Sequence, residues 1–203
     1  MNRNRLLTVL LVPVAAASLS GCGVNAIPTA EENAKAKWAD VQAAYQRRAN
    51  LIPNLVATVK GSAASEQNIL VGVTNARASA TRITVSPDQL TDPQAVQRFA
   101  EAQGRLSAAI IPLQRLQENY PTLQSQGNFK TLMDELEGTE NRINIAIRDY
   151  NGAVQDYNTR IRTFPDVIGA KVFYGAKPMA TYQATTPNAE QAPTVSFDTN
   201  TSH

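Results

Sequence analysis

Leu136, Ile143, Ile147, Tyr150, Val154, Tyr157, Ile161 and Phe164 step along the chain by four and three residues once Glu140 is counted among them. Only an α-helix gathers residues of that spacing on one side, and the near-heptad repeat is that of a coiled-coil seam. A helix over residues 129–164 would be about 50 Å long. Helix propensity alone does not hold such a stripe in water, so other elements must cover it. The stripe has one ionisable interruption, Glu140.

Three further stripes supply the cover. Trp38, Val41, Tyr45, Arg48, Ile52, Leu55 and Val59 predict a helix over residues 30–61, with a bend at Pro53, whose ring displaces the carbonyl of Ala49. Thr29 and Glu32 have the spacing of a capping box at its start. Ile69, Val73, Ala76, Ala80 and Ile83 predict a second helix over residues 64–83. Asp92 as N-cap and Pro93 as first helical residue open a third, carried to about residue 118 by Phe99, Ala102, Leu106, Ala109, Leu113, Leu116 and Tyr120. The fourth starts at a cap on Ser125 or Asn128 and ends at Phe164-Pro165. The expected fold is all-α: an antiparallel four-helix bundle with long helices, a short C-terminal segment (165–182) docked over one bundle end, and a disordered tail. Residues 183–203 are mostly Ala, Thr, Pro, Asn, Gln and Ser, and such a tail cannot bury enough surface to order itself.

The first 22 residues have another use. Arg3 and Arg5 precede a mostly apolar run that is too short to span a bilayer and is broken by Pro13. It ends in Leu19-Ser20-Gly21-Cys22, which resembles the lipobox of bacterial lipoproteins. Residues 1–21 are then a signal peptide, 22–30 a lipidated tether, 31–182 the bundle and 183–203 the tail. The resemblance implies a diacylglyceryl thioether on Cys22 and an N-acyl chain such as palmitate, enough to anchor the protein stably in a lipid bilayer. It places the domain in the cell envelope outside the cytoplasm, and Gly23 after the cysteine favours the outer membrane in a diderm. The chain has 19 Lys and Arg against 17 Asp and Glu, and loss of Arg3 and Arg5 leaves the two equal. No basic field remains to draw nucleic acid. With one cysteine there is no internal disulfide, so an apolar core must hold the fold.

Several runs, taken in order, resemble the LemA family of bacterial envelope proteins. They are Arg47-Arg48-x-x-Leu51-Ile52-Pro53-Asn54-Leu55-Val56-x-Thr58-Val59-Lys60-Gly61, Ala76-Arg77-Ala78, Glu118-x-Tyr120-Pro121-x-Leu123, Asn128-Phe129, Glu135-Leu136-Glu137-x-Thr139-Glu140-Asn141-Arg142-Ile143, Tyr150-Asn151-x-Ala153-Val154-x-x-Tyr157-Asn158 and Phe164-Pro165. They span about residues 35–180, and the tail after Tyr182 falls outside them. The resemblance implies a helical bundle facing the outside of the cytoplasmic membrane, with no established catalytic activity. Relatives commonly carry an N-terminal transmembrane helix where this chain has its lipobox.

The residues themselves offer little for catalysis. The one histidine, His203, ends the tail, and no inward-facing Glu-x-x-His pair suggests a di-metal centre. No metal site and no cofactor are expected, and the acidic cluster Asp134, Glu135, Glu137 and Glu140 reads as helix surface charge. Arg48 and Glu140 stand apart, each a charge on an apolar stripe. They are expected to meet between the first and fourth helices as a buried structural ion pair, helped by the hydroxyl of Tyr45 or Tyr150. Asn144, Asn151 and Asn158 recur every seven residues beside Tyr150 and Tyr157, a polar ladder able to bind neighbouring backbone or a partner. The expected function is that of a membrane-tethered, non-enzymatic module that binds or scaffolds another envelope protein. The alternative is a small-ligand carrier or enzyme with a polar site around Glu140.

Mass spectrometry of membrane-extracted protein should find an acylated Cys22 as the first residue. A free thiol there, or an intact Met1 terminus, contradicts the tether.

Overall fold

The computed structural model describes residues 25–124 and 127–183. Four long helices dominate it: α1 (Ala26–Ser62), α2 (Gln67–Arg82), α3 (Pro93–Asn119) and α4 (Gly127–Arg160). The main pairings are antiparallel, α1 with α4 and α2 with α3, and α1 also packs on α2. The expected tail beyond Gln183 and the expected signal peptide lie outside the described residues.

The start of α1 differs from expectation. Thr29 is no cap: it lies inside the helix, and its hydroxyl donates to the Asn25 carbonyl at 2.7 Å. Glu32 instead takes the Lys35 ammonium at 2.8 Å. The apolar stripe extends upstream through Ala34, Ala30 and Ile27, all buried, and burying Ile27 draws the helix start back to Ala26. The expected tether is correspondingly shorter.

Pro53 lies within α1, which runs on through it. Proline has no N–H for the carbonyl four residues back. That carbonyl, Ala49's, accepts instead from Nε of Arg77 on α2, at 2.7 Å. The proline thereby creates an acceptor that ties α2 to α1. Asp92 caps α3 as expected, its carboxylate accepting from the Gln94 amide at 2.9 Å.

α2 is the short member. At 1.5 Å per residue it reaches about 24 Å, less than half of α1. The bundle therefore has four helices over only part of its length. In that part the core consists of Ile52, Leu55, Val59, Leu70, Val73, Leu106, Leu113, Phe129, Leu136 and their neighbours. In the other part a second core gathers Trp38, Val41, Tyr45, Phe99, Tyr150, Val154 and Tyr157. There the place of α2 is taken by the 83–91 connection and by the C-terminal segment, through Val85, Leu90, Met179 and Tyr182. The Trp38 indole donates to the Val85 carbonyl at 3.0 Å, which fixes the connection.

The C-terminal segment also departs from expectation. α4 ends at Arg160, so its stripe stops at Ile161 and Phe164 is exposed. A helical turn (Asp166–Gly169) and a π-helical turn (Ala170–Tyr174) close one end of the bundle. Gly175 then takes φ 55°, a left-handed conformation that glycine adopts without steric cost, and reverses the chain. The rest does not sit over the end; it returns along α4 as a non-helical strap, residues 176–182.

Candidate functional site

Arg48 is the centre of a polar layer between the two cores. It is 1% exposed, whereas the Glu140 side chain is 41% exposed. The expected pair forms, with Nη1 of Arg48 2.8 Å from Oε1 of Glu140. It is an ion pair with one end buried and the other open to water. The expected helpers are different too. Nη1 also donates to the Ser107 hydroxyl at 2.7 Å, and Nη2 donates at 3.1 Å to both the backbone carbonyl and the side-chain oxygen of Gln103. The Gln103 amide nitrogen passes the network to the Ala80 carbonyl on α2, at 3.3 Å. One guanidinium thus joins α1, α3 and α4 directly and α2 through Gln103. Nε alone among its nitrogens lacks a partner, but the guanidinium carbon lies 4.9 Å from the centre of the Tyr45 ring, a cation–π arrangement.

The Tyr45 and Tyr150 hydroxyls serve the strap instead. Tyr45 shares a hydrogen bond of 2.6 Å with Tyr182, and Tyr150 donates to the Ala180 carbonyl at 2.7 Å. Burial pushes the pKa of all three phenols up, so they stay neutral well beyond neutral pH.

The asparagine ladder reads backbone. Asn151 donates to the Tyr182 carbonyl at 2.9 Å and accepts from the Tyr182 amide at 2.8 Å. Asn158 does the same with Met179, 2.9 Å each way. Tyr157 adds a bond of 3.1 Å to the Lys177 carbonyl. The spacing explains the fit. Seven helical residues rise about 10.5 Å. Three extended residues cover about 10 Å. Each side-chain amide therefore meets a third residue of the antiparallel strap, holding its N–H and C=O as a neighbouring strand would. Asn144, one repeat earlier, is exposed in an open groove of about 1050 Å³ along the strap, with Ile147, Arg148, Gln155 and Arg162.

The surface beside Glu140 is a smaller recess of about 580 Å³, lined by Phe129, Lys130, Met133, Asp134, Glu137 and Gln114. Among the described residues no three His, Cys, Asp or Glu side chains are grouped to hold a metal ion. The sequence reading missed Gln103 and Ser107. A signal was present: Phe99, Gln103, Leu106, Ile110 and Leu113 also step by four and three, which puts Gln103 on the buried phase of α3.

The family model of LemA matches residues 37–197. The chain belongs to the LemA family. The match runs beyond Tyr182, so the family likeness extends further into the C-terminal region than the sequence runs suggested. Among curated relatives, Magnetosome protein MamQ 2 and MamQ 1 of Paramagnetospirillum magneticum are each 29% identical over 164 residues, covering 70% of this chain. Magnetosome protein MamQ of Magnetospirillum gryphiswaldense is 29% identical over 157 residues. This LemA-family chain spans only 58% of the length of these relatives. No helix among the described residues is long and apolar enough to cross a membrane.

The asymmetry of the ion pair sets the outcome of mutation. Glu140→Leu leaves a buried cation with neutral partners only and should cost about 3 kcal/mol, the low end for a broken buried pair because one side is wet. Arg48→Met frees Glu140 to water and costs mainly the lost bonds to Gln103 and Ser107, about 1–3 kcal/mol. In the Arg48→Met background, Glu140→Leu should cost almost nothing. Urea unfolding of the four proteins checks this, and simple additivity contradicts the pairing.

The phenols set an alkaline limit. A folded pKa above the ordinary value of about 10 means that their contribution is complete below that pH and is lost as pH rises past it. Stability measured by urea should fall above about pH 10, and Tyr182→Phe should lessen the fall. An equally steep fall in that variant would place its cause elsewhere.

Proposed function

We propose that the protein is a membrane-tethered, non-enzymatic module of the cell envelope that holds another envelope protein on the α4 face. The observation that carries the reading is the ladder: Asn151 and Asn158 already grip an extended chain by its backbone. A face that reads N–H and C=O groups is indifferent to side-chain identity, as in strand addition to a sheet edge. The groove runs along α4 to Asn144, the next rung, whose side-chain amide offers an extended segment of a partner the same hydrogen-bonding groups. The tether reading rests on Leu19-Ser20-Gly21-Cys22.

The ladder consists of amides and of the Tyr150 and Tyr157 phenols, whose pKa values burial raises; such groups bind well and move protons poorly at neutral pH. The reading of Glu140 as a ligand or catalytic site has less support, because one of its oxygens is engaged by Arg48.

A photo-crosslinking residue placed at Asn144 or Arg148 in intact cells tests the reading. Adducts of one defined mass are expected from both positions, and none from Ile111 on α3. No adduct from either groove position, or the same set from all three, contradicts it.

A further inference from the structure

The described residues expose few large apolar side chains, and most of these fall in one short stretch: Phe164 (80% exposed), Ile168, Val172 (69%) and Phe173 (68%), with Tyr174 beside them. Ile168 and Val172 are four apart in continuous helical turns, which puts them on one side. The opposite side of those turns is packed. Ala170 is buried in the core, and Gly169 lies so close to Ile27 that an added Cβ would meet its side chain at 3.5 Å. Ile27 is in the first turn of α1. The exposed apolar side therefore lies at the end of the bundle where the chain enters from its N-terminus.

Cys22 precedes Ala26 by four residues. Even a fully extended chain covers no more than about 14 Å over that distance. An acylated Cys22 therefore holds this end of the bundle against the bilayer. We infer that Phe164, Ile168, Val172 and Phe173 form a docking face that rests in the headgroup region of the anchoring membrane. Tyr174 suits that region, with an apolar ring and a polar tip, and the exposed Lys171 and Lys177 can extend along the surface to lipid phosphates. The face gives the bundle a fixed orientation: the apolar end in the interface, the ladder running away from it, and the α2 end outermost. The inference rests on the tether reading above.

The full chain, reconstituted in vesicles of phosphatidylethanolamine and phosphatidylglycerol, tests it. Acylation of Cys22 would leave an introduced cysteine as the one reactive thiol. Val172→Cys and, separately, Phe173→Cys carry an environment-sensitive fluorophore. Ile111→Cys, exposed on the distant half of α3, is the reference, and circular dichroism checks that each variant is helical. Labels at 172 and 173 should be quenched several-fold more by a lipid-borne quencher than the label at 111. Protein that sediments with vesicles but shows the same weak quenching at all three positions overturns the docking face and leaves the tether standing. Protein that stays in solution with a reactive Cys22 overturns the tether, and the docking face with it. A label at 172 hidden from both water and the lipid quencher means that a second copy or another protein covers the face, which also overturns the inference.

Discussion

The structure depends on one buried cation. Arg48 divides an otherwise apolar bundle into two cores, and its two Nη groups are bonded by the other helices. A guanidinium cannot be left unpaired inside a protein without a cost of several kcal/mol. The register in which Gln103, Ser107 and Glu140 all reach it is therefore favoured over any slipped alternative. Apolar stripes with steps of three and four tolerate sliding, since one leucine can replace another a heptad away. A fork of donors aimed at acceptors on three particular residues does not. Pro53 adds a second fixed point one turn along, where the freed Ala49 carbonyl holds Arg77 and, with it, α2.

The same register governs the strap. Because α2 ends near the polar layer, the core beyond it is open on one side, and burying Tyr45, Phe99 and Tyr150 there requires another cover. The strap supplies it with Met179 and Tyr182 inward and its backbone on the α4 amides. An isolated extended chain makes no backbone hydrogen bonds of its own, and buried peptide groups need partners. Asn151 and Asn158 act as those partners, so a single strand is stabilised by a helix without a sheet. The arrangement links architecture to the proposed function, since a surface built to hold one extended chain is prepared to hold another.

Much of this was legible in the sequence, and the failures have physical reasons. The helices were readable because period 3.6 leaves a direct mark. The Arg48–Glu140 pair was readable because two charges interrupted two apolar stripes. The exposure of Glu140 was not. Thr139, its neighbour, is the residue that turns inward, and spacing does not separate the centre of a stripe from its edge. Gln103 was hidden by a parallel alanine-containing stripe one residue away. The ladder could be seen as a repeat of seven, but its occupant could not: an extended strap carries no periodicity, and its bonding uses backbone, which every residue has. Phe164 fitted the α4 stripe in phase and failed in fact because the helix stops at Arg160.

The most direct test of the polar layer as the fixed point of the fold is amide hydrogen exchange on the full chain and its Glu140→Leu variant. Loss of protection should occur together on α1 around Arg48, on α3 around Gln103 and on α4 around Glu140, because all three are held through one guanidinium. Loss confined to the α4 turn around residue 140 would contradict the account, since it would mean that the helices keep their register without the ion pair.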